Sequence, residues 1–205
     1  DKEIVKSRRR MGAVVETPSI YLDMTAEDNL KQQYRILGLP SYDGLTDILK
    51  LVGLENTGKK KTKNFSLGMR QRLGIAIALV GDPDFLVLDE PVNGLDPQGI
   101  IEVRELILKL NRERQITALI SSHILDELSK LATHYGFIDN GRIVKEMSAA
   151  DLEASCQKSV RIKVSDINVL VRVLDKMVID YKILSDTTAD IYAEINVSEI
   201  VLALA

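Results

Sequence analysis

Phe85-Leu86-Val87-Leu88-Asp89-Glu90-Pro91-Val92-Asn93-Gly94-Leu95-Asp96-Pro97 decides how the rest of the chain is read. Four apolar residues run without a break into two carboxylates. Such a run fits a strand buried on both faces, as in a parallel sheet, and open α/β sheets bind ligands beyond the carboxyl ends of their strands. A tandem Asp-Glu at that edge can divide its labour. One carboxylate can hold a divalent cation, and the other can orient or deprotonate a water that attacks a phosphoryl group. Many strands also end in an acidic loop with no such role, so the pair gains its weight from its neighbours. Immediately downstream, Asp96 as N-cap and Pro97 at the first helical position predict a helix over 97–114. Its inward face is Ile100, Ile101, Val103, Leu106, Ile107 and Leu110.

Two neighbours bear on the pair. Upstream, Asn64-Phe65-Ser66-Leu67-Gly68-Met69-Arg70-Gln71-Arg72 leads into an apolar helix through Val80. Ser66 is a good N-cap, and a helix start with free N–H groups and a hydroxyl suits a phosphate. Downstream, residues 116–122 read as a second buried strand that ends at His123. An imidazole beside an acidic pair can contact a terminal phosphate oxygen, although a lone His is more often structural.

In order and spacing this set resembles the ATP-binding cassette (ABC) ATPases. Phe65 to Met69 is similar to the family's signature loop, Phe85 to Glu90 to its Walker B strand, Asn93 to Asp96 to its D-loop, and His123 to its switch histidine. The resemblance covers about residues 10–147. It implies an α/β fold: a partial ABC ATPase core over 1–155, with a parallel sheet and a helical subdomain inserted over about 24–82. It also implies ATP and Mg²⁺ as cofactors. Asp89 would hold Mg²⁺, Glu90 would act on the attacking water, and His123 would contact the γ-phosphate. Ser66, Leu67, Gly68 and Met69 would meet the nucleotide held by a second copy or a paired ATPase subunit, with Asp96 communicating across that dimer. Glu16 stands where the family usually has Gln and would reach the metal or its water. Leu67 replaces a usual Gly and would crowd the incoming phosphate.

The expected function is the energy-coupling subunit of an exporter of antibiotics or hydrophobic peptides. It would dock on a transmembrane permease near Tyr21 to Asn29, at the cytoplasmic face of the membrane. Two alternatives stay open: an ABC ATPase of translation or DNA repair, and a non-catalytic interaction module.

Bulk properties agree with a globular chain. It has 205 residues, a net charge of -3, 45% hydrophobic residues and a mean hydropathy of +0.01. No global basic field asks for nucleic acid or anionic lipid. A single cysteine, Cys156, excludes an intrachain disulfide and fits a reducing compartment. The apolar runs are too short to span a bilayer, and no signal peptide opens the chain.

Elsewhere, Met11 to Val15 reads as a strand followed by the turn Glu16-Thr17-Pro18-Ser19. Thr25 and Asp28 predict a capping box, and residues 42–52 a second helix. Gly53-Leu54-Glu55-Asn56-Thr57-Gly58-Lys59-Lys60 nearly spells a phosphate loop. It lacks the final hydroxyl, follows a helix instead of a strand, and precedes a basic run instead of an apolar helix. With no other phosphate loop in sight, the chain is expected to be a fragment that binds ATP feebly by itself. Residues 124–131 predict a helix. Residues 134–139 and 142–147 predict strands joined by a type I′ turn at Asn140-Gly141, with His134 structural. A small α+β appendage over 156–205 is expected in the order βαββα. Its elements are 160–164, 169–177, 181–184, 191–195 and 198–204, and it would serve dimer contact or regulation.

Overall fold

The computed structural model describes residues 2–8, 10–155 and 160–192. They fall into two compact units, 1–131 and 132–205. The hairpin over 134–148 therefore counts with the second unit.

The first unit opens with helix α1 (Lys2–Arg8) and is built on β1 (Met11–Val15), β2 (Phe85–Asp89) and β3 (Thr117–Ser121). They form a parallel sheet in the order β1-β2-β3, with Val15, Asp89 and Ser121 in register at its carboxyl edge. A parallel crossover needs a dozen or more residues, and here helical segments supply it. The crossover between β1 and β2 carries α2 (Ala26–Ile36), α3 (Leu45–Leu51) and α4 (Leu67–Ala78), and that between β2 and β3 is α5 (Pro97–Arg114). After β3 comes the short α6 (Leu125–Ser129).

Side chains alternate across the pleat. Val14, Leu86 and Leu88 enter a core with Leu73, Ile75, Val103 and Leu110, whereas Met11, Val15 and Leu119 on the other face are exposed. Parallel sheets are normally covered on both faces. Among the described residues, the helices cover one.

Two glycines set how closely α4 approaches the sheet. A Cβ on Gly12 would sit 2.2 Å from the carbonyl oxygen of Ala78, so strand and helix meet backbone to backbone. A Cβ on Gly74 would sit 2.5 Å from Cβ of Pro18, which lets the turn after β1 lie on α4. That turn carries Glu16.

The helical subdomain keeps the expected cap. The Thr25 hydroxyl accepts from the Asp28 N–H at 3.1 Å, and the Asp28 carboxylate accepts from the Thr25 N–H at 3.4 Å. Asn29 is buried instead of lying on an exposed face. Its amide donates to the carbonyls of Tyr21 and Thr25 at 3.1 and 2.8 Å and accepts from the Tyr21 N–H at 2.7 Å. Thr62, also buried, donates to the Tyr21 carbonyl at 2.9 Å. These bonds satisfy a loop that leaves Tyr21 and Leu22 exposed.

The predicted helix over 42–52 is shorter, because Gly44 at φ 77° starts α3 only at Leu45. The near-match to a phosphate loop is no such loop. It follows α3, folds into a 3-10 turn at Glu55–Thr57, and places the Lys60 ammonium 5.6 Å from the centroid of the Phe65 ring.

In the second unit, β4 (His134–Asp139) and β5 (Arg142–Ser148) form a hairpin. Asn140 and Gly141 both have positive φ, as the I′ turn requires. Helix α7 (Ala149–Ser155) follows. A separate antiparallel sheet joins β6 (Val160–Lys163), β7 (Tyr181–Ser185) and β8 (Thr188–Ile191) in the order β6-β8-β7. Helix α8 (Ile167–Lys176) contributes Ile167, Leu170 and Leu174 to a small core with Ala189 and Ile191. Strand β8 thus starts at Thr188 instead of Ile191, because the polar turn at Asp186-Thr187 closes the hairpin early, and positions 193–195 of the expected strand lie outside the described residues. The expected helix over 198–204 lies outside the described residues.

Candidate functional site

Parallel pairing in register brings three chain segments to one edge. Beyond Val15 comes Glu16, beyond Asp89 comes Glu90, and beyond Ser121 come Ser122 and His123. Glu90 turns with φ 46° and Glu16 with φ 45°, both in the left-handed region that non-glycine residues seldom occupy. Pro91 disfavours the right-handed helical region for Glu90. Backbone strain of this kind, on the order of 1–3 kcal/mol per residue, collects where surrounding structure must hold a side chain in place.

The bonds that do the holding are explicit. The Glu90 N–H donates to the carbonyl of Ser121 at 3.1 Å and to its hydroxyl at 3.2 Å. The Ser121 hydroxyl in turn donates to the Asp89 carboxylate. Nδ1 of His123 lies 2.9 Å from Oε1 of Glu90. The other Glu90 oxygen, Oε2, is buried and finds no hydrogen-bond partner among the described residues. The glutamate side chain is 22% exposed and the imidazole 66%, so the ring reaches outward from a largely enclosed carboxylate.

Glu90 and His123 therefore meet, Asp89 ends the strand just before Glu90 and is tied to Ser121, and Glu16 follows the end of the adjoining strand. Ser121 was not singled out by sequence reasoning. A polar Ser-Ser pair closing an apolar strand was the available signal, but only the register shows which carboxylate it serves.

The remaining predicted residues gather at two helix tips. Ser66 caps α4 by accepting from the Met69 N–H at 3.2 Å. Asp96 caps α5 by accepting from the Gly99 N–H at 3.1 Å. Leu67 is exposed, but its Cδ2 lies 3.5 Å from where a Cβ on Gly94 would be, so the side chain leans on the loop before α5. A Cβ on Gly68 would lie 3.6 Å from the Gly99 Cα, and that close approach brings the two tips together. Below them, Arg72 pairs with Glu102 of α5 at 3.3 Å and donates to the Val52 carbonyl at 2.7 Å.

The donor set at the strand edge is made of carboxylates, hard oxygen ligands that suit Mg²⁺ better than a soft metal. The orphaned Oε2 of Glu90 is an acceptor of the kind a metal-bound or attacking water can satisfy. No group of three or more His, Cys, Asp or Glu residues with metal-holding geometry occurs among the described residues. Magnesium commonly binds through one or two carboxylates with phosphate oxygens completing its shell, and Asp89 can serve that kind of site.

Comparison with known proteins gives a consistent picture. Residues 1–93 match the family model described as ABC transporter. The chain is 41% identical over 197 residues to the bacitracin transport ATP-binding protein BcrA of Bacillus licheniformis, covering 95% of this chain and 63% of that protein. It is 48% identical over 138 residues to the lantibiotic transport ATP-binding protein SrtF of Streptococcus pyogenes, covering 67% of this chain and 59% of that one. It thus spans about three fifths of the length of these relatives. Among solved structures, cbiO1 from Clostridium perfringens, described as part of an ABC transporter complex, superposes with a TM-score of 0.67 at 25% identity, covering 86% of this chain and 67% of that one. The ADP- and phosphate-bound dimeric cassette MJ0796 shares the fold, with a TM-score of 0.61 at 24% identity, covering 73% of this chain and 67% of that one.

Proposed function

Because the chain belongs to the ABC transporter family, we propose that it forms the hydrolytic edge of an ATP-binding subunit that drives export of an antibiotic or hydrophobic peptide. One observation carries this reading: Glu90 touches His123 at the end of the strand that also delivers Asp89. A carboxylate tied to an imidazole through one oxygen keeps the other as acceptor for the proton of an attacking water. The exposed ring presents its second nitrogen to a phosphoryl oxygen. Asp89, with Glu16 in support, would hold Mg²⁺, which when bound neutralises charge on the transferring phosphate. The Ser66 hydroxyl and the N–H groups of Leu67 and Gly68 at the α4 tip, beside the Met69 N–H that Ser66 caps, suit the γ-phosphate of ATP held by a paired subunit. Asp96, fixed as a helix cap, carries that contact into α5.

The full-length protein would add the phosphate-loop part. The open face bearing Met11, Val15 and Leu119 supports this, as does the share of the relatives' length that the chain spans. In this reading residues 1–155 belong to the ATPase domain, with a helical subdomain over 24–82, and 156–205 form an accessory module. Exposed Tyr21 and Leu22 suit docking on a permease at the cytoplasmic face of the membrane. No helix among the described residues is long and apolar enough to cross a membrane. Relatives named for bacitracin and lantibiotic transport support the substrate class.

The test is Glu90→Gln in the full-length protein. It should retain ATP and lose hydrolysis by about a hundredfold or more; wild-type turnover would overturn the assignment. Co-expression with the cognate permease should protect a sensitive host from bacitracin or a lantibiotic. Protection from neither would remove the substrate class.

A further inference from the structure

His123 is exposed, yet its ring must stay on Glu90 for the proposed chemistry to work. The segment after it has little apolar anchorage of its own. Helix α6 has no buried residue and no side-chain N-cap. Just beyond it Leu131 packs against the core, and α6 itself is tied to α5 by charge. Nη1 of Arg104, on α5, lies 3.3 Å from Oε2 of Glu127, with both side chains mostly enclosed at 18% and 15% exposure. On its other side Glu127 receives Lys130 at 3.1 Å, and Lys130 also reaches Asp126 at 2.6 Å. The N–H groups of Glu127 and Leu128 both donate to the Ile124 carbonyl at 3.2 Å, and Ser122 accepts from the Ile124 N–H at 3.1 Å. One tight turn therefore separates Glu127 from the residue bonded to His123.

The other end of the pair is rigid. Arg104 follows Val103 and precedes Leu106 and Ile107, all buried in the core. Its helix starts at the Asp96 cap and is tied to α4 through Glu102 and Arg72. An ion pair removed from solvent on both sides is screened far less than a surface pair, and removing Glu127 leaves the enclosed Arg104 without this partner, whereas Glu127 keeps Lys130 when Arg104 is removed.

We propose that Arg104 is a positioning residue for His123: its ion pair with Glu127 clamps α6 to α5 and so holds the imidazole against Glu90. This rests on the reading of Glu90 and His123 as the hydrolytic pair. It also makes α5 a common beam, with the Asp96 loop at its start and the histidine loop clamped halfway along.

The experiment uses the full-length protein with Arg104→Met, Arg104→Lys and Glu127→Gln. Arg104→Met should lower kcat about tenfold, because small misplacements of a reacting group are costly, while leaving KM for ATP unchanged. Arg104→Lys keeps the cation and should recover most of the loss. The ring resonances of His123, assigned by their disappearance in His123→Gln, should shift in Arg104→Met and Glu127→Gln but much less in Arg104→Lys. Wild-type kcat and unshifted resonances in folded Arg104→Met would overturn the clamp. If Arg104→Met fails to fold, Glu127→Gln decides the question on the same readouts. If the wild-type protein hydrolyses no ATP, the hydrolytic reading falls, and the resonances alone decide whether the clamp exists.

Discussion

The two three-stranded sheets among the described residues use the same strand chemistry to opposite ends. In the first unit, parallel strands point the same way, so Glu16, Glu90 and His123 leave the sheet at one edge. In the second, antiparallel strands alternate direction, and their ends are dispersed to both edges. Its buried carboxylate, Asp190, lies on the central strand and pairs with Arg161 across the ladder at 2.7 and 2.9 Å. Parallel topology concentrates loops where chemistry can be assembled, whereas the antiparallel sheet with a single amphipathic helix makes a packing surface. The cores differ in scale as well. That of the first unit runs from Val14 to Ile116, while that of the second consists of Ile167, Leu170, Leu174, Ala189 and Ile191 with a few half-buried neighbours.

That contrast can be broken at three points. The largest effect is expected at Gly12, where an added methyl would meet both the Ala78 carbonyl and Leu86. Gly12→Ala should destabilise the first unit by about 3 kcal/mol or more, because the obstacle is backbone and cannot turn aside. Hydrogen exchange resolved by segment should show β1 and β2 losing protection while β6 and β8 keep theirs. Equal loss in both would mean that the units do not fold separately.

Next is Leu170→Ala in α8. Removing a fully buried leucine costs roughly 2–5 kcal/mol, a large share of what so small a core can supply. Denaturant unfolding followed by exchange should show the β6-β8-β7 sheet opening first, with the β1-β2-β3 sheet unaffected.

The smallest effect concerns pH. Hydrogen bonding and charge from Arg161 hold the Asp190 carboxyl below its ordinary value of 3.8. Because the folded value is depressed, the stabilisation is fully present above 3.8 and is lost as pH falls through the folded value. Circular dichroism during an acid titration should therefore show no contribution from this pair between pH 7 and about 5. A loss should appear only at lower pH, and Asp190→Asn should remove that step. A change centred near neutrality would point to a different group.

Much of this protein was legible because the relevant signals are local. The short apolar run Met11–Val15, the Asp96-Pro97 start of an 18-residue helix, the Thr25 capping box and the Asn140-Gly141 turn each depend on a few adjacent residues, and all form as expected. The Asp89-Glu90 pair and His123 could be proposed for the same reason, since each ends an apolar strand. The misread boundaries, Gly44 before α3 and Thr188 at β8, lie where one backbone angle or a two-residue turn outweighs the periodicity.

Sequence alone determined which side chains are present and which elements carry them, because period, capping and turn chemistry act over a few residues. Tertiary structure decided which of those side chains meet. Residues 89 and 121, and then 90 and 123, are brought together by the register of β2 against β3. Those pairings depend on packing between segments far apart in the chain, and no local pattern encodes them.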